Sequence, residues 1–329
     1  MKPHLNRGDS GFGGVDDSQI FLKTEVHADI LSGCNANCNG CFIPRKNGSF
    51  NLEILYNKLL ESAFYPDEIT IGPTDIFDAV NFEEVLGDRC LQKLYDISGI
   101  SFTSALKQDY SLIKEKHKRL WDVTEHPDID FKIVVDINSY LLNGLDDKKL
   151  GLFKEGSVQF RVNYHKGMFD KISYNDLAYQ IHDRYNSPIV VVPNFFVNNN
   201  NTGKVSELLV NFRKDLEGQE IAPEFLGWYT MFDSKFNSYG CTNYSFYNNK
   251  FFISPFIFDG VLQRDSLFEV DDFNSCNVAS NIVLTSDTEC GDCQWVISCS
   301  ERNVPLYMRS RGIDTCVVPK RYMYANNQK

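Results

Sequence analysis

No long apolar run occurs in this chain. Its most apolar stretch, Phe251–Phe258, contains Pro255 and is far shorter than the ~20 residues a membrane-spanning helix needs. The opening segment Met1–Gly14 is polar and glycine-rich, without the apolar centre of a secretory signal. Positive charge is also in deficit: 33 Lys and Arg stand against 44 Asp and Glu, a net charge of −11. Affinity for phosphate backbones comes from clustered basic side chains, so nucleic acid is disfavoured as a partner. A locally basic stretch with Arg302, Arg309, Arg311, Lys320 and Arg321 reads as a solvated face. No internal repeat is visible. These absences point to a soluble, cytoplasmic protein with no membrane partner.

Core-forming residues are plentiful. The 329 residues suffice for one large domain plus a smaller one, or two modest ones, and 43% hydrophobic with 23% charged residues is an ordinary balance for a globular enzyme. The ten cysteines need a different account. Where thiols stay reduced, disulfides are rare and grouped cysteines bind metal or do chemistry. Three lie within Cys34–Cys41 and four within Cys290–Cys316, while Cys90, Cys241 and Cys276 stand apart.

Short apolar runs alternate with amphipathic stretches from about residue 26 to 217. Val26–Ser32, Glu68–Gly72, Ile100–Leu106, Phe131–Asp136, Val158–Tyr164 and Ile189–Val192 read as strands, rich in Val, Ile and Phe and bounded by turn residues. The clearest helix carries Leu52, Leu55, Leu59, Leu60 and Ala63 behind a capping Asn51. A second places Phe82, Val85, Leu86, Leu91 and Leu94 on one stripe, with Cys90 as a small buried hydrophobe. Further helices are expected near 109–121, 146–154, 173–185 and 204–217. Such alternation implies parallel strands joined by right-handed crossovers, as a doubly wound sheet or an incomplete (β/α) barrel. In both, loops at the C-terminal strand ends carry the chemistry. Beyond residue 221 helical periodicity fades, and Lys250–Ser254 and Val261–Val270 flank a turn at Asp259–Gly260, predicting a hairpin. The expected division is an N-terminal segment 1–24, a barrel 25–220 and an extension 221–329.

Cys34, Cys38 and Cys41 form a C-x3-C-x2-C loop just after the first strand. Three thiolates can hold three corners of a cubane cluster and leave one iron open, as catalytic zinc sites keep one position free. An open iron can take a bidentate ligand such as the amino and carboxylate groups of methionine. The competing reading is a zinc knuckle, but zinc usually takes four ligands and no nearby His completes this set, His27 lying within the strand.

The triad and its setting resemble the radical S-adenosylmethionine superfamily over roughly residues 24–217. That family usually has an aromatic residue before the third cysteine; here Gly40 holds that place and Phe42 follows. The resemblance implies a partial (β/α)6 TIM-like barrel, a [4Fe-4S] cluster with an open iron site, and S-adenosyl-L-methionine. It also implies an electron donor such as flavodoxin or ferredoxin, and an abstraction of hydrogen from a substrate C–H bond. It assigns Phe42 to the cluster or the adenine. Gly72, Thr74 and Asp75, at the end of the second strand, take the place of a Gly-Gly-Glu-like segment that meets the methionine ammonium. Gly-Pro-Thr-Asp suits a strand-to-helix cap equally well. Ser104, Asp136, Asn138, Asn163, His165 and Asn194 fall near later strand ends, and of these Ser104, Asn163 and Asn194 are counted with the cofactor-binding set.

The second group, Cys290, Cys293, Cys299 and the distant Cys316, has enough thiolates to saturate a cubane cluster. The C-x2-C-x5-C spacing resembles the SPASM or twitch extension of radical enzymes. Two positions where the full pattern has cysteine hold Asn303 and Asp265. One auxiliary [4Fe-4S] cluster is therefore expected, with Cys241, Cys276 and Asp265 as alternative ligands. A four-cysteine zinc site is the competing account. Members with this extension often modify peptides or proteins, so a peptide or protein substrate leads. A small molecule or nucleotide is the runner-up, and a non-catalytic zinc-binding interaction protein is the contrasting class. The first 25 residues look too short for a separate peptide-recognition domain.

Overall fold

The structure is a computed structural model that describes residues 25–28, 30–31, 33–34, 36, 51–61, 65–72, 74–124, 129–154, 156–163, 167–187, 189–192, 211, 214–215, 243–247 and 249–253. The expected strands are present as β1 (Glu25–Ala28), β2 (Glu68–Ile71), β3 (Gly99–Ser104), β4 (Asp130–Val135), β5 (Val158–Asn163) and β6 (Ile189–Val192). Two more follow, β7 (Asn243–Tyr247) and β8 (Lys250–Ile253). The helices are α1 (Leu52–Glu61), α2 (Phe82–Gly87), α3 (Arg89–Tyr95), α4 (Tyr110–Thr124), α5 (Ile137–Asn143), α6 (Asp147–Leu150) and α7 (Tyr174–Tyr185).

All eight strands share one sheet in the order β6-β5-β4-β3-β2-β1-β7-β8. From β1 to β6 each strand pairs in parallel with its sequence neighbour. A doubly wound sheet would reverse its order at a switch point. An unreversed series of right-handed crossovers puts every helix on the same face. The fold is thus an α/β partial barrel, and strand order decides between the two architectures left open above.

Alternation along the strands separates the two faces. Ile69, Ile71, Phe102, Phe131, Phe160 and Val162 are buried on the face that meets the helices. There Phe131 packs on His117 of α4 with ring centroids 5.5 Å apart, and Phe160 on Tyr185 of α7 at 5.2 Å. The opposite face is polar, with Glu68, Thr70, Ser101 and Lys132 all buried. Lys132 Nζ lies 2.9 Å from Glu68 Oε1 and also donates to Thr70 Oγ1. Ser101 Oγ donates to the same Glu68 oxygen.

Curvature is visible in the electrostatics. His27 on β1 and Arg161 on β5 are separated by four strand spacings, which would be ~19 Å in a flat sheet. Even so, the Arg161 charge helps to lower the His27 pKa, to about 3, behind the larger effect of burial. Glu68 acts on both residues. Both agree with a polar face that lines the lumen of the partial barrel.

Local sequence explains the helix boundaries. Asn51 Oδ1 accepts from Ile54 N at 2.9 Å, the expected cap, and Leu52, Leu55 and Leu59 are buried while Leu60 is 39% exposed. The stripe expected as one helix over Phe82–Leu94 is broken at Asp88. Its extended backbone ends α2, and its carboxylate caps α3 by accepting from Cys90 N at 2.8 Å. Cys90 is buried as expected. Helix α5 lacks a sequence forecast: Asp136 leaves the strand to cap it, its Oδ1 accepting from Ser139 N at 2.9 Å. The helix expected over 146–154 shortens to α6, closed at Gly151. The one over 204–217 lies mostly outside the described residues.

The hairpin strand at 250–253 pairs antiparallel with β7, turning through Asn249 at φ 61°. Val261–Val270, its expected partner, lies outside the described residues. Strand β7 is parallel to β1, so β1 is flanked on both sides. No helix among the described residues is long and apolar enough to cross a membrane.

Breaking a buried pair leaves its partner charged and uncompensated, a loss of about 3–5 kcal/mol. Lys132→Met is expected to lower unfolding free energy by that order in urea titration. Adding Glu68→Gln should recover part of the loss; an additive double variant argues against a direct pair.

Candidate functional site

The C-terminal ends of β1, β2 and β3 converge on one rim. Past β1 the chain runs through buried Ile30 and Leu31. It is tied down where Asn81 Nδ2 donates to Ile30 O at 3.1 Å. Gly33 then takes φ 68°, and a Cβ there would meet Val80 Cγ2 at 2.5 Å. Both backbone and space require glycine at this point. The next residue, Cys34, is half-buried, and the backbone N–H groups of Ala36 and Asp75 favour its thiolate. Burial pushes its thiol pKa up, the two N–H groups oppose this, and the Asp75 and Asp78 carboxylates add to the rise.

Strand β2 leads into the same rim. Gly72 N donates to Ala28 O at 3.2 Å, and a Cβ on Gly72 would lie 2.5 Å from Thr103 Oγ1. Thr74 and Asp75 are buried. Asp75 caps the 3-10 turn Ile76–Asp78 through Oδ1, which accepts from Phe77 N at 2.9 Å. Its Oδ2 accepts from Ala105 N at 2.7 Å, and the Ser104 hydroxyl bonds to it as well. Burial raises its pKa to about 6 against the pull of these donors, with Asp78 adding a smaller push. The Asp75 carboxylate thus links the loops after β2 and β3, while the backbone N–H of Asp75 acts on the Cys34 thiol after β1.

The loop after β3 is strained. Leu106 takes φ 51°, a conformation uncommon for a bulky residue. It is fixed by its N–H to Ser104 Oγ at 3.0 Å and by Lys149 Nζ donating to its carbonyl at 2.8 Å.

Of the residues singled out from sequence, Cys34, Gly72, Thr74, Asp75 and Ser104 come together at this rim. Asn163 ends β5 on the far wall of the lumen. Asp136 caps α5 and pairs with Lys107 at 3.2 Å, and Asn138 is exposed in α5. Cys38, Cys41, Phe42, His165, Asn194, Cys241, Asp265, Cys276, Cys290, Cys293, Cys299 and Cys316 lie outside the described residues. Among the described residues no group of three His, Cys, Asp or Glu is placed to hold a metal ion.

Sequence reasoning missed the lumen itself: His27, Glu68, Lys132 and Arg161. Its signal was polar residues at alternate places in Ile69-Thr70-Ile71, Phe131-Lys132-Ile133 and Phe160-Arg161-Val162. Strands of a parallel sheet covered on both faces normally read as continuous apolar runs.

Cys34 fits a metal-bound thiolate. A bare thiolate is disfavoured there by burial and two carboxylates, whereas a metal supplies the missing positive charge. Directed N–H groups are the partners that orient and tune thiolate ligands.

No protein-family model matches the sequence, and no curated protein matches it. Two solved structures are similar. One is SuiB of Streptococcus suis bound to the precursor peptide SuiA, 13% identical, covering 85% of this chain and 71% of that one, with a TM-score of 0.46. The other is Streptococcus suis SuiB, 11% identical over 91% of this chain and 77% of that one, with a TM-score of 0.47.

The raised Asp75 pKa fixes the sign of a pH effect. Below about pH 4 the group is protonated whether folded or not; between about 4 and 6 the folded chain holds the proton more tightly. Its contribution therefore declines as pH rises through that window and is level above it. Relative to Asp75→Asn, the wild type is expected to lose up to roughly 3 kcal/mol of unfolding free energy between pH 4 and 7. A difference that stays flat or grows with pH in paired urea titrations contradicts this account.

Proposed function

We propose that this chain is a radical S-adenosylmethionine enzyme that abstracts hydrogen from a peptide or protein substrate. The observation that carries the reading is the position of Cys34. It opens the C-x3-C-x2-C loop on the C-terminal rim of an unreversed parallel barrel, beside the buried Thr74 and Asp75 of the loop after β2.

In this reading Cys34, Cys38 and Cys41 hold a [4Fe-4S] cluster whose fourth iron is open to S-adenosylmethionine. When bound, cluster and cofactor together supply the electron that splits the sulfonium and the 5′-deoxyadenosyl radical that takes the hydrogen atom. The chain binds and orients. Gly72 lets β2 and β3 close up at the rim, since Thr103 Oγ1 would lie 2.5 Å from a Cβ there. Thr74 and Asp75 shape the methionine end of the site. Asp75 acts chiefly as a positioning residue, because its oxygens are engaged by Phe77 N, Ala105 N and Ser104. Phe42, Ser104, Asn163 and Asn194 complete the proposed cofactor contacts.

Cys290, Cys293, Cys299 and Cys316 are proposed to hold one auxiliary [4Fe-4S] cluster in an extension over 221–329. Their resemblance to peptide-modifying enzymes with such an extension supports the peptide substrate. A reduced flavodoxin or ferredoxin would supply electrons, and a reducing cytoplasm suits the thiolate ligands.

Anaerobic purification is expected to give brown protein with iron and acid-labile sulfide. Colourless protein holding zinc would falsify the assignment. Cys38→Ala is expected to abolish 5′-deoxyadenosine formation while roughly half of the iron, that of the auxiliary cluster, remains. Retained cleavage in that variant removes the three-cysteine site from the mechanism.

A further inference from the structure

The loop after β3 holds its strain beside the rim. Leu106 takes φ 51°, where Cβ crowds the following carbonyl and glycine would sit without cost. The residue is 8% exposed and part of the core. Packing accounts for the leucine but not for the backbone turn.

Neighbouring elements hold the loop on both sides of that turn. Ala105 N donates to Asp75 Oδ2 at 2.7 Å. Lys107 Nζ donates to Ser139 Oγ at 3.2 Å and pairs with Asp136 at 3.2 Å, and Gln108 donates to Asp78. At Leu106 itself the N–H donates to Ser104 Oγ at 3.0 Å, a local bond. Its carbonyl accepts from Lys149 Nζ at 2.8 Å, a bond that arrives from α6, 43 residues further along the chain.

Lys149 is set up for that reach. Its side chain is 17% exposed, and Asp146 Oδ2 lies 3.5 Å from Nζ. The other oxygen of Asp146 accepts from Lys149 N at 3.1 Å, fixing the base of the side chain. Asp146 balances the charge, and a charge-assisted N–H is directed at a neutral carbonyl.

The torsion φ of Leu106 sets the direction of its carbonyl relative to the Ala105–Leu106 peptide plane. With the carbonyl clamped by Lys149 and the N–H by Ser104, the preceding chain is kept with Ala105 N–H facing Asp75. Strained conformations persist where their surroundings overdetermine them, and they serve preorganised sites.

We propose that Lys149 is a positioning residue for the cofactor site. It clamps the strained Leu106 carbonyl and so keeps Ala105 N–H on the Asp75 carboxylate. The inference rests on the reading above, in which Thr74 and Asp75 shape the methionine end of that site.

The test pairs hydrogen exchange with ligand binding on the full chain as purified anaerobically. Lys149→Met removes the donor, whereas Lys149→Arg keeps one. Exchange of the Ala105 and Leu106 amides, read by mass spectrometry, is expected to quicken about tenfold in Lys149→Met and to stay near wild type in Lys149→Arg. S-adenosylmethionine binding to the same preparations, by equilibrium dialysis without reductant, is expected to weaken about tenfold in Lys149→Met. Iron per chain stays unchanged, and Lys149→Arg restores the affinity. Wild-type affinity in Lys149→Met overturns the proposal, as does unchanged exchange at residues 105–106. So does an affinity that Lys149→Arg fails to restore, or faster exchange spread evenly over the chain, which marks a general loss of stability. A wild type that binds no S-adenosylmethionine overturns the cofactor reading and this proposal together, whereas equal binding by all three proteins overturns this proposal alone.

Discussion

Handedness is the constraint from which the rest follows. Right-handed crossovers with no reversal of strand order oblige every helix to cover the same face of the sheet. Among the described residues no helix buries the other face. Curling gives it a neighbour, itself, and the twist of strands favours that curl. Once the sheet curls, residues on distant strands meet. Lys132 of β4 reaches Glu68 of β2 over the intervening β3, and Arg161 is felt by His27. A polar interior is affordable there because its groups bond to one another, and it would be ruinous if they did not.

The rim is assembled by the same economy of partners. Three loops from consecutive strands are joined largely through Asp75, whose side chain takes donors from two of them while its backbone N–H serves the third. The arrangement has an energetic penalty, since the carboxylate is enclosed and its proton is held too tightly. Strain at Leu106 and the close approach at Gly72 lie in the same small region. Such concentrations of unfavourable local terms persist where surrounding structure overdetermines them, and they gather at working sites.

Much of this was legible beforehand. Strand positions 26, 69, 100, 131, 158 and 189 announced themselves by apolar runs between turn residues, and the cap at Asn51 by its place before a leucine stripe. Cys34 was expected just after the first strand, and it follows β1 beyond Ile30 and Leu31. What could not be read was how caps divide a continuous stripe: Asp88 and Asp136 each end one element and begin another, and either role suits an aspartate. Nor did the run-by-run reading expose the lumen. In the linear sequence Lys132 and Arg161 interrupt apolar runs; in the sheet they belong to the alternate positions of a second face. Contacts such as Asp75 to Ala105 join residues far apart in sequence, and no local pattern encodes them.

Strand β1 has neighbours on both sides, β2 and β7. An interior strand does not fray as an edge strand does, because two ladders must open together before it shifts. The peptide leading to Cys34 is consequently anchored in the interior of the sheet, and Gly33 and Asn81 hold the chain in place as far as the sulfur. Cys34 behaves as a fixed post: it moves only when the sheet moves.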